Sequence, residues 1–187
     1  DLSMSNLLLN DLSQAFLSDP RVSVVNDDAF TYVLYSVTTL DVVLVDLFDP
    51  SIERLAKLYS TEFYRNVVTR LAPEGVIVTQ ATSTFFSPHA FSTVASTVAA
   101  AQPDRQLLPF SINIHSFGEW GFILSTRTPQ NLISQPLPEG LTYQERQTLE
   151  FIMRTKPART ETMDPSTLLH PRIVEVYNRD MRQWRYY

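Results

Sequence analysis

Residues 41–50 read Asp-Val-Val-Leu-Val-Asp-Leu-Phe-Asp-Pro and contain the clearest strand pattern of the chain. Its first part, Asp41–Asp46, is continuously apolar between two carboxylates, which is typical of a parallel strand buried on both faces. A loop with Asp49 and Pro50 follows. Open parallel sheets bind their ligands at the carboxyl ends of the strands. Asp46 and Asp49 are therefore the first candidates for a site.

Predicted strands and helices alternate along the chain on both sides of this stretch. This alternation predicts an α/β fold with a mostly parallel sheet. The last two strands are separated by a short stretch, which predicts an antiparallel pair closing the sheet. Pro73–Gly75 is predicted as a turn, and Ser87 as the N-cap of a helix that begins with Pro88. The predicted helices are 4–17, Ala29–Tyr35, Phe63–Leu71, Pro88–Ala101, Tyr143–Met153 and His170–Trp184, and the predicted strands are Val22–Val25, Asp41–Asp46, Val76–Val78, Gln106–Ile114 and Trp120–Ser125.

Polar side chains follow three of the predicted strands. Asp28, Asp46 and Gln80 each come just after such a strand, so we expect them along one edge of the sheet. Asp46 and Asp49 are three positions apart at the end of a strand, so their side chains can converge on a cationic ligand. One of the two carboxylates can also act as a general base. Each also has a structural alternative: turn acids for the pair, a helix cap for Asp28, and a loop hydrogen bond for Gln80.

The composition narrows the function classes. The chain has 187 residues, which suits one domain of ordinary size, and a net charge of −5, which argues against a nucleic-acid partner. It has no cysteine, and its 3 histidines lack ligand spacing, so no metal site is predicted. No apolar run reaches the ~18 residues of a transmembrane helix. We expect a cytoplasmic protein, or one at the cytoplasmic face of a membrane.

Five motifs occur in a fixed order: Asp19–Val22 with Asn26–Phe30, Asp41–Asp46 with Asp49-Pro50, Leu58–Tyr64, Leu71–Gly75 with Gln80, and Ser116–Phe122. Together they resemble the polyamine aminopropyltransferase (spermidine synthase-like) family. In the branch with the last of these motifs, the enzyme domain is often fused to bacterial transmembrane helices. The resemblance implies a Rossmann-like S-adenosylmethionine-dependent methyltransferase fold that lacks its N-terminal strand and glycine loop here.

The family transfers an aminopropyl group from decarboxylated S-adenosylmethionine to putrescine, giving spermidine and methylthioadenosine. The resemblance implies a small-molecule amine and this nucleoside cosubstrate as ligands, with no tightly bound cofactor. It assigns the catalytic base to Asp46. It assigns amine or pocket contacts to Asp49, Tyr59 and Gln80, and nucleoside contacts to Asp1, Asp28 and Ala29.

Departures from the family pattern keep other functions open. The missing glycine loop predicts weak or no activity for a chain that begins at Asp1, and favours an inactive nucleoside- or polyamine-binding relative. Phe117 stands where spermidine synthases often place a pocket tyrosine, and the loss of that hydroxyl leaves the amine specificity open. A methyltransferase using S-adenosylmethionine is a further alternative, although two acids suit a diamine better.

The organisation of the chain is predicted in two parts. Residues 1–128 form the C-terminal part of a catalytic domain, and residues 129–187 form a linker and a helical appendage. The resemblance also implies a homodimer, and it implies a membrane region outside this sequence if the chain follows the fused branch.

Overall fold

The computed structural model describes residues 19–115, 118–128, 137, 139–154 and 158–184. These residues form a four-stranded sheet in the order β1-β2-β4-β3. The strands are β1 Leu40–Val45, β2 Leu71–Gln80, β3 Gln106–Ile114 and β4 Gly118–Thr126.

Helices connect the strands and follow the sheet along the chain. The helices predicted inside the described ranges are all present, with ends shifted by a few residues, and the one predicted over 4–17 lies outside those ranges. The helices are α1 Ala29–Tyr35, α2 Glu53–Ala56, a 3-10 turn Lys57–Tyr59, α3 Thr61–Thr69, α4 Pro88–Ala101, α5 Tyr143–Arg154 and α6 Arg172–Arg182.

Strand pairing confirms the predicted sheet topology. β1 and β2 are parallel, with Val45 opposite Thr79 at their carboxyl ends. β4 runs antiparallel to β2 and to β3, and the β3–β4 pair is a hairpin in which Phe110 stacks on Phe122. The parallel register brings the residues that follow Val45 beside the end of β2.

The hydrophobic core lies between one face of the sheet and the helices α3 and α4. The Tyr64 hydroxyl of α3 hydrogen-bonds the Thr79 hydroxyl of β2 at 3.1 Å, and both residues are fully buried. Phe91 of α4 packs directly on Gly121 of β4, where an added Cβ would lie 2.5 Å from the ring. Glycine at 121 is therefore what lets α4 approach the sheet this closely.

The opposite face of β1 is open, which corrects the expectation that this strand is buried on both faces. Val43 is half-buried and Val45 is buried, whereas Val42 is 56% exposed and Leu44 is 73% exposed. Side chains alternate between the two faces of a strand. Within the described residues, only the face that carries Val43 and Val45 is covered.

The strand predicted over Val22–Val25 is wrong. These residues have no regular secondary structure, and Val24 and Val25 are about half exposed, at 51% and 54%. Valine favours a pleated, half-buried surface rather than extended structure by itself. Without a neighbouring strand among the described residues, the local preference does not produce a strand here.

The turn predicted at Pro73–Gly75 is also wrong, because these residues lie inside β2. The strand is irregular there: Leu40 pairs with Leu71, whereas Val42 pairs with Val76. Such irregularities accommodate a proline, which has no N–H to donate to the ladder. The turn residues therefore distort a strand that continues through them.

The start of α4 shows how α6 is attached. Ser87 is at the predicted N-cap position, but its side chain makes no capping hydrogen bond. Asp180 of α6 supplies the cap instead, because its carboxylate accepts from the backbone N–H groups of His89 at 2.9 Å and Ala90 at 3.0 Å. The His89 ring lies 2.8 Å from the same carboxylate. A buried acid from the C-terminal helix thus satisfies free N–H groups at the N-terminus of α4.

Candidate active site

Asp46 follows β1 directly, on the open side of the sheet. Val45 points into the core, so the alternation of the strand turns Leu44 and Asp46 the other way. Asp46 is exposed, and its carboxylate accepts no hydrogen bond from the residues that the structure describes. The carboxylate is therefore free to meet a ligand.

Asp49 is half-buried and is held at both of its oxygens. The Gln80 side-chain amide donates to Oδ1 at 3.2 Å, and the Tyr177 hydroxyl donates to Oδ2 at 2.8 Å. Both donors are neutral, and together they fix the orientation of the carboxylate. Asp49 is a positioned anion at the end of the sheet.

Tyr59 fixes the orientation of Gln80. Its hydroxyl lies 3.0 Å from Gln80 Oε1 and 2.9 Å from the backbone oxygen of Phe48, and its side chain is almost fully buried. Because Gln80 Oε1 accepts from Tyr59, the amide nitrogen faces Asp49. Burial raises the pKa of Tyr59, so its hydroxyl stays protonated and remains a donor.

A cavity of about 560 Å³ opens in front of these residues. Asp46, Asp49 and Gln80 line its polar part, and apolar side chains form much of the rest. No Lys or Arg is among its lining residues in the described part of the chain. Two acids without a basic neighbour favour a cationic ligand. The apolar lining residues include Leu44, Val78, Ile114 and Phe122.

Asp28 and Ala29 are not part of this cavity. Asp28 is the N-cap of α1, accepting from Thr31 N at 3.1 Å, and its other oxygen pairs with Lys57 Nζ at 2.5 Å. The hydrogen bond from Lys57 holds the pKa of Asp28 below its usual range. The expected common edge therefore holds for Asp46 and Gln80 but not for Asp28, since Asp28 starts a helix and follows no strand.

Two residues of the sequence interpretation, Asp1 and Phe117, lie outside the described residues. Conversely, the structure adds Tyr177, whose hydroxyl reaches Asp49 from α6. It is 128 positions from Asp49 along the chain. No local pattern could have joined the two, because only the docking of α6 brings them together.

Two features are absent from the described residues, a cluster of metal-ligand side chains and a membrane-spanning helix. They contain no group of three or more His, Cys, Asp or Glu side chains that could hold a metal ion. Among them, no helix combines the length and apolarity that crossing a bilayer requires.

The chain belongs to the spermine/spermidine synthase family, because residues 2–135 match the spermine/spermidine synthase domain. It is 37% identical over 183 residues to polyamine aminopropyltransferase 1 of Streptomyces coelicolor, covering 96% of this chain and 33% of that protein. It is 36% identical to the polyamine aminopropyltransferase of Mycobacterium tuberculosis, covering 97% of this chain and 35% of the relative. The chain thus spans about a third of the length of these relatives.

Solved structures confirm the fold class. The structure of a spermidine synthase in complex with the transition-state analogue AdoDATO matches with a TM-score of 0.57 at 18% identity, over 79% of this chain and 55% of that one. The spermidine synthase of Thermotoga maritima matches with a TM-score of 0.52 at 16% identity, over 79% and 54% of the two chains. The predicted Rossmann-like α/β fold is therefore correct.

Proposed function

We propose that this chain carries the amine-binding and catalytic residues of a polyamine aminopropyltransferase. The reaction moves an aminopropyl group from decarboxylated S-adenosylmethionine to putrescine or a related diamine. The observation that carries the proposal is the pair of acids at the end of β1. Asp49 is oriented by Gln80 and Tyr177, and Asp46 is free of partners among the described residues. The names of the relatives point to the same reaction.

Asp46 and Asp49 have different roles toward the diamine. Asp49 holds the amine substrate through its fixed carboxylate. Asp46 accepts a proton from the reacting ammonium and leaves a neutral amine. The nitrogen lone pair then attacks the carbon beside the sulfonium, and the carbon–sulfur bond breaks with its electrons staying on sulfur. Methylthioadenosine leaves as a neutral thioether, and the positive charge ends on the new secondary ammonium.

The cavity supplies the remaining requirements of this displacement. Apolar side chains such as Val78 and Phe122, both half-buried, shield the reacting atoms from water. Holding amine and electrophile side by side removes much of the entropic cost of their encounter. The proposal places the nucleoside near Asp28 and Ala29, with the ribose at Asp1. The cap made by Asp28 does not forbid this contact, because each carboxylate oxygen accepts more than one hydrogen bond.

The experiment is a turnover assay with decarboxylated S-adenosylmethionine and putrescine, comparing the wild type with Asp46→Asn. Because the amide cannot accept the proton, we expect kcat to fall by about 10²–10⁴-fold. Asp41→Asn is the matched control, since Asp41 is an exposed acid at the other end of the same strand. Wild-type turnover in Asp46→Asn would contradict the assignment. Methyl transfer from S-adenosylmethionine would favour the methyltransferase alternative instead.

The resemblance also leads to two proposals about assembly, a homodimer and a fusion to a membrane region outside this sequence. Sedimentation of the purified protein tests the first, and a single monomer species at micromolar concentration would remove it. Membrane fractionation of cells that express the gene tests the second.

A further inference from the structure

The strongest unassigned feature of the molecule is the contact of Tyr177 with the site. Tyr177 lies on α6, outside the residues 2–135 that match the family domain. Its hydroxyl donates to Asp49 Oδ2 at 2.8 Å, and only 9% of the residue is exposed. A buried hydroxyl at this distance from a carboxylate makes a charge-assisted hydrogen bond.

α6 is held firmly enough to place this hydroxyl. Ile173, one turn before Tyr177, is fully buried in the core. One residue after Tyr177, the Asn178 side-chain amide donates to the backbone oxygen of Ser51 at 3.1 Å. Further along, Asp180 caps α4. Tyr177 therefore lies between three anchor points, one of which is on the loop that carries Asp49.

The Tyr177 hydroxyl serves as a donor and not as a base. Burial raises the pKa of Tyr177, and the hydrogen bond and charge of Asp49 raise it further. The phenol thus stays protonated across the physiological range. Gln80 holds the other oxygen of Asp49, so the loss of the Tyr177 hydroxyl leaves the carboxylate with one of its two donors.

We propose that Tyr177 is a positioning residue that fixes the Asp49 carboxylate for the amine substrate. The inference rests on the proposed function, in which Asp49 binds the amine. It makes the C-terminal helix part of the substrate site and not only a support for the fold. The hydroxyl acts on the amine through Asp49 and has no part in binding the nucleoside.

The test is Tyr177→Phe, which keeps the packed ring and removes only the hydroxyl. We expect the KM for putrescine to rise about tenfold, in line with the loss of a hydrogen bond to a charged group. We expect kcat and the KM for decarboxylated S-adenosylmethionine to stay near their wild-type values. Tyr143→Phe is the matched control, because Tyr143 is a tyrosine of the C-terminal part that is 77% exposed.

A double-mutant cycle separates positioning from a general structural effect. If Tyr177 acts through Asp49, adding Tyr177→Phe to Asp49→Asn raises the putrescine KM no further. Additive effects, or an unchanged KM in Tyr177→Phe, would overturn the inference. A fall in kcat with an unchanged amine KM would overturn it as well.

Calorimetry keeps this test independent of the proposed function. If the wild type shows no aminopropyl transfer, the proposed activity fails. Titration of wild type and Tyr177→Phe with putrescine then still decides the role of Tyr177. About tenfold weaker binding by the variant supports the inference. Equal binding, or no binding by the wild type, overturns it.

Discussion

Asp49 is the residue at which distant parts of the chain meet. Gln80 reaches it from the end of β2 and Tyr177 from α6, and Tyr59 in turn fixes Gln80. All of these donors are uncharged, so the site keeps its negative charge while gaining a defined geometry. Such preorganised anions bind ammonium groups without first having to rearrange.

Asp28 lets a structural role be separated from a ligand role at one residue. Asp28→Asn keeps an acceptor for Thr31 N, whereas Asp28→Ala loses the helix cap. We expect the alanine variant to lose about 1 kcal/mol of unfolding free energy and the asparagine variant to lose less. Thermal or denaturant unfolding measures both. Equal losses in the two variants would contradict the capping role.

Calorimetric titration with methylthioadenosine tests the proposed nucleoside contact in the same variants. Asp28→Asn should weaken this binding although the cap persists. Unchanged binding would show that Asp28 is a cap and an ion-pair partner only.

The same ion pair predicts a pH dependence. Lys57 lowers the pKa of Asp28 in the folded protein below its unfolded value. The stabilising contribution of the Asp28–Lys57 ion pair is therefore present above the ordinary carboxyl pKa. It is lost as the pH falls through the pKa of Asp28 in the folded protein. Asp28→Asn should accordingly be less stable than wild type at neutral pH and equal to it in strong acid. A constant difference at all pH values would contradict this account.

Among the elements, one buried acid links α6 to the N-terminus of α4. Asp180 is 4% exposed and accepts from two backbone N–H groups of α4, those of His89 and Ala90. We expect Asp180→Ala to lower the free energy of unfolding by about 2 kcal/mol, because it removes the cap of α4 and leaves buried N–H donors unpaired. Asp164→Ala is the control, because Asp164 is mostly exposed and its one ion pair among the described residues, with Arg172, is long at 3.5 Å.

Hydrogen exchange locates the effect of Asp180→Ala. Protection should fall at the first turn of α4 and along α6, and the putrescine KM should rise as Tyr177 loses its support. Uniform loss of protection across the sheet would indicate general destabilisation. No loss anywhere would show that α6 docks without this contact.

The order of the elements and the position of Asp46 and Asp49 just after β1 were predictable, because both depend on local patterns. The apolar run of β1 and the proline at the start of α4 each specify their element within a few residues. Val22–Val25 failed because a strand needs a neighbour, and Pro73–Gly75 failed because the sheet absorbs the turn residues as an irregularity. A sequence pattern shows the local preference of a segment for a strand or a turn, whereas pairing with a neighbouring strand decides which structure forms.

The capping acid and the positioning tyrosine were not predictable from sequence patterns. Asp180 and Tyr177 act on residues 90 and 128 positions away, respectively. Their roles exist only once α6 has packed. The strand pattern placed Asp46 and Gln80 at one edge of the sheet, as observed, but nothing in the sequence linked Tyr177 to Asp49.

At the scale of the whole molecule, the described residues form a half-covered sheet with its site at one edge. Val42 and Leu44 leave an apolar strip exposed beside the cavity. The chain covers 33% of its Streptomyces coelicolor relative and 55% of the spermidine synthase bound to AdoDATO. Activity is therefore to be measured on the purified protein itself, with substitutions at Asp46 and Asp49, the acids that follow β1.

Product analysis of the purified protein shows directly whether Asp46 serves as the base for aminopropyl transfer. The purified protein is incubated with decarboxylated S-adenosylmethionine and putrescine, and the products are quantified by mass spectrometry. The account predicts spermidine and methylthioadenosine in equal amounts, both nearly abolished in Asp46→Asn and retained in Asp41→Asn. Methylthioadenosine without an aminopropylated amine, or equal product from wild type and Asp46→Asn, would contradict it.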